Sequence, residues 1–177
     1  MGFHSRIINM VVVGSVLVSA KRLKRNTFAD KTKSTNIMNK ERLLDILKSK
    51  IEEADAIVVG GASGMSAASG FRFYYQDDEV FRQMAGSLRE KYGFRNMFDG
   101  FYHPRTTKGE HWALKLRTIK YVYECETGET YTDLAELLEG KNYYIVTTNQ
   151  DAQFYRVFPE NRITRLQGDW RYFQCKD

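Results

Sequence analysis

Three short runs rich in apolar and β-branched residues, at positions 56–59, 143–148 and 163–166, constrain the fold of this chain most. The first two show almost no alternation of polar and apolar side chains, which is typical of strands covered on both faces. Segments that can form helices lie before and between the runs, as parallel strands require. The sequence therefore predicts an α/β fold built on a parallel sheet.

Apolar residues at three- and four-residue spacing predict a helix before the first strand, with Asn39 as its N-cap. Its core-facing stripe comprises Leu43, Leu44, Leu47, Ile51 and Ala54. Further helices are predicted over residues 79–92, 110–124 and 131–138, and a loop over residues 94–107. In the 110–124 helix the apolar contacts are expected from Trp112, Leu116, Ile119 and Val122.

The length and the cysteine content narrow the class of protein. The chain has 177 residues, which suits one domain with one buried core, and no apolar run is long enough to cross a bilayer as a helix. Cys125 and Cys175 make no disulfide framework, and with three histidines they give no complete zinc site. We expect a reduced, cytoplasmic setting, with no membrane partner and no metal site.

The net charge of +5 is confined to one end of the chain. Residues 1–37 hold seven basic side chains and one acidic one, whereas the other 140 residues hold 20 basic and 21 acidic side chains. The charge of the domain itself therefore gives no support to nucleic-acid binding, and no nucleic-acid partner is expected.

The N-terminal extension, residues 1–37, has two interpretations. An apolar stretch over residues 7–20 precedes a basic cluster at residues 21–25, which resembles a secretory signal with a cleavage site at residues 18–20. Alternatively, Met38 is the true start and the extension is an over-extended translation. Neither interpretation predicts an element of the fold, so we divide the chain into an extension, 1–37, and a domain, 38–177.

Polar or glycine-rich segments follow each predicted strand, at residues 60–69, 149–151 and 167–169. In open α/β sheets the ligand crevice lies at the carboxyl ends of the strands, so these segments are expected to converge on one site. The first segment could bring its backbone close to a pyrophosphate at the start of a helix. It also fits a tight strand-to-helix turn packed against a neighbouring helix.

Motifs in these segments resemble those of a known family in order and spacing. Residues 58–70, VVGGASGMSAASG, resemble the first sirtuin signature, and residues 147–151, TTNQD, resemble the second, Thr-Gln-Asn-x-Asp. Residues 166–169, LQGD, stand where sirtuins have Leu-His-Gly. The QGD, FQC (173–175) and YGFRNM (92–97) sequences resemble the macrodomain-linked branch, called class M. The resemblance extends from residue 38 to residue 175.

The resemblance implies a Rossmann-like, three-layer α/β/α domain, incomplete at its C-terminal end, that binds NAD between two lobes. The cofactor-binding residues that it implies are Gly60, Gly61, Ala62, Ser63, Gly64, Ser66, Thr148, Asn149 and Asp151. The catalytic residues that it implies are Asn149 and Asp151, which would position nicotinamide and ribose, and Gln167, which would position the acceptor. Asn149 and Asp151 also fit the start of a helix, where they would cap its free N–H groups.

Gln167 departs from the deacetylating sirtuins, which have a histidine there as general base. A glutamine side chain cannot accept a proton at neutral pH, so lysine deacetylation is expected to be weak or absent. Class M proteins share this replacement and are described as protein ADP-ribosyltransferases. The resemblance therefore implies transfer of ADP-ribose from NAD to a protein, with release of nicotinamide. It also implies a lipoyl-carrier protein as acceptor and a macrodomain protein as functional partner.

Two further departures leave an alternative open. Residues 62–64 read Ala-Ser-Gly where sirtuins prefer Gly-Ala-Gly, and the added side chains could crowd a pyrophosphate. Cys175 stands where the sirtuin zinc ribbon begins; zinc is expected in full-length relatives, but one cysteine alone cannot bind it. A truncated chain is therefore expected, and the alternative function is a non-catalytic remnant that binds NAD or ADP-ribose weakly, or that acts only through protein contacts.

Overall fold

Four parallel strands form one sheet, and their order in space follows their order in the chain. The computed structural model describes residues 7–11 and 31–175, with side chains from residue 41 onward. The strands are β1 (Ile7–Val11), β2 (Ala56–Gly61), β3 (Tyr143–Thr147) and β4 (Ile163–Arg165). The three predicted strands and the α/β class are confirmed.

The faces of β2 and β3 are covered unequally, which corrects the prediction of strands buried on both faces. In β2 the side chains of Ile57 and Val59 are buried, while the residues between them are half-buried. In β3, Ile145 is buried but Tyr144 is exposed. One face of the sheet therefore supplies most of the core.

Strand β1 lies in the segment that the sequence analysis leaves outside the domain. Its residues Ile7 to Val11 pair with Ala56 to Gly60 of β2 in a parallel register. The sequence analysis predicts no strand there, so this pairing is a finding of the structure. The proposed cleavage site at residues 18–20 and the basic cluster at residues 21–25 lie outside the described residues.

The first helix, α1 (Lys31–Glu53), begins eight residues before the predicted N-cap. Asn39 lies inside the helix, so its prediction as the N-cap is wrong. The predicted apolar stripe also reaches the core only near its end: Ile51 is buried, Leu47 packs partly against the core, and Leu43 is exposed. Among the side chains of α1 that the structure describes, from residue 41 onward, those of the last turns pack against the core.

The remaining helices are short except for one. They are α2 (Ser63–Ala68), α3 (Glu79–Ala85), α4 (Ser87–Tyr92), α5 (Met97–Phe101), α6 (Lys108–Glu124), α7 (Glu129–Leu137), α8 (Phe154–Val157) and a 3₁₀ turn (Glu160–Arg162). The predicted helix 79–92 is two helices, because Gly86 has a left-handed φ of 53° that ends the first of them. The predicted loop 94–107 contains α5, which Asn96 caps.

Helix α6 begins at a capping box formed by Thr107 and Glu110. Its buried face carries Leu114, Thr118 and Val122. Trp112 and Leu116, which the sequence analysis assigns to the core, are about half exposed, at 47% and 52%. The helix is confirmed, but it is turned so that a different stripe faces inward.

Two apolar clusters fill the interior. One packs on the sheet and includes Ile57, Val59, Tyr131, Ile145 and Phe154. The other lies among α3 to α6 and is rich in aromatic rings; its members include Phe71, Phe73, Phe81, Phe94 and Met97. No described helix combines the length and the apolar character that a bilayer crossing requires.

Candidate functional site

A cleft of about 300 Å³ lies where the carboxyl ends of β2 and β3 meet the aromatic cluster. Its polar wall comes from α2 and from the segment after β3, and its apolar wall comes from the loop after α2. The lining residues are Ser63, Ser66, Phe71, Phe73, Tyr74, Tyr75, Thr148, Asn149, Gln150, Asp151, Gln167 and Trp170.

The cleft brings together residues from all three of the predicted segments. Ser63, Ser66, Thr148, Asn149, Asp151 and Gln167 line it, whereas Gly60, Gly61, Ala62 and Gly64 are absent from its lining. Ala62 and Gly64 are exposed at the beginning of α2, next to Ser63. The roles assigned to all these residues stay predictions, but their placement around one cavity suits a shared ligand.

Hydrogen bonds between β2 and β3 hold the polar wall in place. Gly61 O accepts from Thr148 N at 3.1 Å and from Thr147 Oγ1 at 3.0 Å. Thr147 Oγ1 in turn accepts from Asn149 N at 2.9 Å. The backbone leaving β3 is therefore tied to the end of β2, which directs Asn149 and Asp151 into the cleft.

Gly61 is needed for packing inside the fold. A Cβ atom at Gly61 would lie 2.4 Å from Cζ of Phe154, a ring that is itself 1% exposed. At Gly60 nothing lies within 4 Å of such an atom. The glycine-rich segment was also interpreted as a tight turn packed against a helix, and Gly61 fits that interpretation because it lies directly against the buried ring of Phe154.

Asp151 is a buried acid held by three hydrogen bonds. Its Oδ2 accepts from Ser66 Oγ at 2.5 Å and from Tyr131 Oη at 3.1 Å, and its Oδ1 accepts from Gln153 N at 3.2 Å. Burial raises the pKa of Asp151 above its ordinary value, and these hydrogen bonds oppose that rise. The arrangement places a carboxylate in a site from which water is largely excluded.

Tyr131 is the main residue of this site that the sequence analysis missed. It lies on α7, is 0% exposed, and its hydroxyl also accepts from Asn149 Nδ2 at 3.0 Å. Burial, followed by the charge of Asp151, raises the pKa of Tyr131 well above its ordinary value. Its spacing from Leu134 and Leu138 marks Tyr131 as a core residue, and no motif distinguishes its hydroxyl from a buried ring.

Gln153 is a second residue that the sequence analysis missed. It is 0% exposed, and its Oε1 accepts from Gly128 N at 3.1 Å, just before α7 begins. Between it and Asp151, Ala152 has a left-handed φ of 56°. The turn after β3 is thereby fastened to the helix that carries Tyr131.

Gln167 is exposed at the mouth of the cleft. Its backbone oxygen accepts from Gln150 Nε2 at 2.9 Å, and Gln150 Oε1 accepts from Trp170 Nε1 at 3.0 Å. Tyr74, Gln150 and Trp170 also line a second, more aromatic cleft of about 470 Å³. Within residues 41–175, whose side chains the structure describes, no hydrogen bond engages the side-chain amide of Gln167.

Metal chemistry finds no support in the described part of the chain. Among the side chains of residues 41–175, no group of three or more His, Cys, Asp or Glu could hold a metal ion. Burial raises the pKa of the Cys125 thiol, and Cys175 is exposed.

Comparison with known proteins gives two relatives, while no family model matches the chain. A protein ADP-ribosyltransferase of Staphylococcus aureus is 36% identical over 138 residues, which cover 77% of this chain and 43% of the relative. A probable bifunctional ADP-ribose hydrolase/ADP-ribosyltransferase of Fusarium oxysporum f. sp. cubense is 27% identical over 136 residues, which cover 75% of this chain and 22% of the relative. The chain is therefore similar to proteins named ADP-ribosyltransferases, and it spans less than half the length of either.

Proposed function

We propose that this chain carries the NAD-binding part of a sirtuin-like protein ADP-ribosyltransferase, with a Rossmann-like, three-layer architecture. One observation carries the proposal: Asn149 and Asp151 of the Thr-Thr-Asn-Gln-Asp motif lie buried at one cleft with residues of the glycine-rich segment. The parallel sheet and the two relatives named for ADP-ribosyl transfer support the same function.

The residues of the cleft suit NAD in shape and in polarity. A space of about 300 Å³ between aromatic rings and an acid–amide pair fits a flat heteroaromatic amide joined to a sugar. Asn149 and Asp151 would hold nicotinamide and ribose, and Ser63 and Ser66 would lie towards the phosphates. NAD supplies the ADP-ribosyl group, and its nicotinamide is the leaving group.

Asp151 and Asn149 would contribute electrostatics and orientation. Breaking a glycosidic bond builds positive charge on the sugar, and an ionised carboxylate stabilises that charge more strongly where water is excluded. Asp151 is only 9% exposed, and its three hydrogen bonds hold the carboxylate in place. Asn149 is 7% exposed, so its amide can fix the orientation of a polar group in the same space.

Gln167 would act on the acceptor side of the reaction. Its position at the mouth of the cleft and its neutral amide suit hydrogen bonding to an incoming protein group, but not removal of a proton. We therefore expect weak or absent lysine deacetylation. In the proposed transfer, the bond from ribose to nicotinamide breaks and a bond from ribose to the acceptor nucleophile forms, with release of the acceptor's proton.

The acceptor and the partner belong to the proposal as well. We infer a lipoyl-carrier protein as acceptor and a macrodomain protein as functional partner, in a cytoplasmic setting. The Fusarium relative, whose name combines ADP-ribose hydrolase and ADP-ribosyltransferase, supports a link between addition and removal of the group.

A transfer assay tests the proposal. The full chain is incubated with a lipoyl-carrier protein and NAD labelled in its adenosine part, and both covalent label and free nicotinamide are measured. We expect label on the acceptor with an equal amount of nicotinamide, and about 100-fold less of both for Asn149→Ala. Tyr155→Phe is the matched control, since the hydroxyl of Tyr155 has no hydrogen-bond partner among the described residues. A folded chain that releases no nicotinamide and labels no acceptor would contradict the proposal.

A further inference from the structure

The hydroxyl of Tyr131 is the point at which the acid and the amide of the cleft meet. It donates to Asp151 Oδ2 at 3.1 Å and accepts from Asn149 Nδ2 at 3.0 Å. A hydroxyl has one proton to donate and two lone pairs that accept. Ser66 Oγ also lies 3.3 Å from this hydroxyl, but the shorter hydrogen bond of Ser66, at 2.5 Å, donates its proton to Asp151 Oδ2. Because an ionised carboxylate only accepts, the proton of Tyr131 goes to Asp151 as well, and the amide group of Asn149 meets Tyr131 through its NH₂ side.

This order of donors fixes which end of the Asn149 amide is available to a ligand. With Nδ2 turned to Tyr131, the carbonyl oxygen Oδ1 forms the other end of the same planar group, and Asn149 lines the cleft. No donor within the described part of the chain reaches Asn149 Oδ1. That atom is an acceptor, so the group that it can bind is a hydrogen-bond donor.

We propose that Tyr131 is a positioning residue: its hydroxyl transmits the orientation of the Asp151 carboxylate to the Asn149 amide, so that Asn149 presents its oxygen to a donor group of the ligand. The identity of that ligand as NAD rests on the function proposed above. A carboxamide NH₂ or a ribose hydroxyl can supply the donor. The orientation itself depends only on side chains of this chain.

The ring of Tyr131 also packs in the core, and the test must separate this structural role from the role of the hydroxyl. The ring meets Phe154 edge to face, with centroids 4.9 Å apart. Tyr131→Phe keeps that contact and removes only the oxygen. Tyr155→Phe makes the same change at another buried hydroxyl, one that has no hydrogen-bond partner among the described residues.

The first measurement is NMR of the full chain without ligand. We follow the two side-chain amide protons of Asn149 and the pH titration of the Asp151 carboxyl carbon. Tyr131→Phe is expected to shift the Asn149 amide protons and to move the titration of Asp151 to higher pH, since a hydrogen bond that stabilised the carboxylate is lost. Tyr155→Phe is expected to leave both unchanged. If Tyr131→Phe also leaves both unchanged, the proposal is overturned.

The second measurement is the affinity for NAD, determined by calorimetry. Loss of the orienting hydrogen bond is expected to weaken binding about tenfold for Tyr131→Phe and not for Tyr155→Phe. Equal affinities for Tyr131→Phe and the wild type would overturn the positioning role. If the wild-type chain binds no NAD, the proposed function fails, and the NMR result still decides whether Tyr131 orients Asn149.

A measurement on the wild-type chain covers the case in which Tyr131→Phe does not fold. A cross-peak between the Asn149 side-chain NH₂ and the ring protons beside the Tyr131 hydroxyl supports the proposed orientation. A cross-peak pattern that places the NH₂ group away from Tyr131 contradicts it.

Discussion

At the scale of single residues, the burial of Asp151 affects both the stability of the protein and its proposed chemistry. Burial raises its pKa, so the folded state binds a proton more tightly than the unfolded chain does. Its stabilising contribution is present below the unfolded pKa and is lost as the pH rises through the folded pKa. Above the folded pKa the protein therefore holds an ionised acid in the cleft at the expense of stability.

Asp151→Asn should consequently raise the melting temperature at neutral pH. The gain should shrink as the pH falls through the folded pKa and should vanish below about 4, where the unfolded chain binds the proton as well. Thermal unfolding of the variant and the wild type across this range measures the effect. A variant less stable than the wild type at neutral pH would show that the hydrogen bonds to Asp151 outweigh the effect of its burial.

Asp169→Asn is the matched control, with the opposite sign. Although burial works against it, hydrogen bonds from Arg171 and Arg165 lower the pKa of Asp169. Asp169 therefore contributes stability at pH values above its unfolded pKa. That contribution is lost as the pH falls through the folded pKa. Replacement of Asp169 should therefore lower the melting temperature at neutral pH.

The same scale shows what the sequence could not predict. The segments that contain Asn149, Asp151 and Gln167 were found because polar residues follow apolar strands, and the resemblance to sirtuins singled out these three residues. Tyr131 was missed because its position on α7 matches that of the core residues Leu134 and Leu138, so periodicity predicts only a buried ring. The hydroxyl of Tyr131 contacts three polar groups that are distant in sequence, and such contacts cannot be predicted from the local residue pattern.

At the scale of elements, the end of β2 packs directly on α8. Gly61→Ala should lower the free energy of unfolding by about 1–3 kcal/mol, because its Cβ would overlap the buried Phe154 ring. Gly60→Ala, one residue earlier and with open space around the new atom, should change it by less than about 0.5 kcal/mol. Denaturant midpoints of the two variants measure the difference, and equal midpoints would contradict this account of Gly61.

Helices and strands could be predicted from the sequence where they follow a pattern of apolar side chains. They could not be predicted where they depend on backbone pairing or backbone conformation. Strands β2, β3 and β4 follow apolar or β-branched runs. Strand β1 joins the sheet through backbone pairing, and its apolar residues also fit a signal segment. The break at Gly86 depends on one left-handed residue inside an otherwise helical pattern.

At the scale of the whole molecule, the proposed function depends on both apolar clusters. The sheet cluster positions Asn149 and Asp151, and the aromatic cluster supplies Phe71 and Phe73 as the opposite wall. The α/β class and the convergence of three segments were foreseen from the sequence. The second cluster was not, because its aromatic residues follow no regular spacing.

Calorimetric titration of NAD into the full chain tests the central claim most directly. We predict saturable binding by the wild type and at least about tenfold weaker binding by Asp151→Asn, a variant whose expected higher stability excludes unfolding as the cause. Binding without transfer in the assay above would favour the non-catalytic alternative. No heat from a folded, monodisperse sample, or equal affinity for the two proteins, would contradict the account.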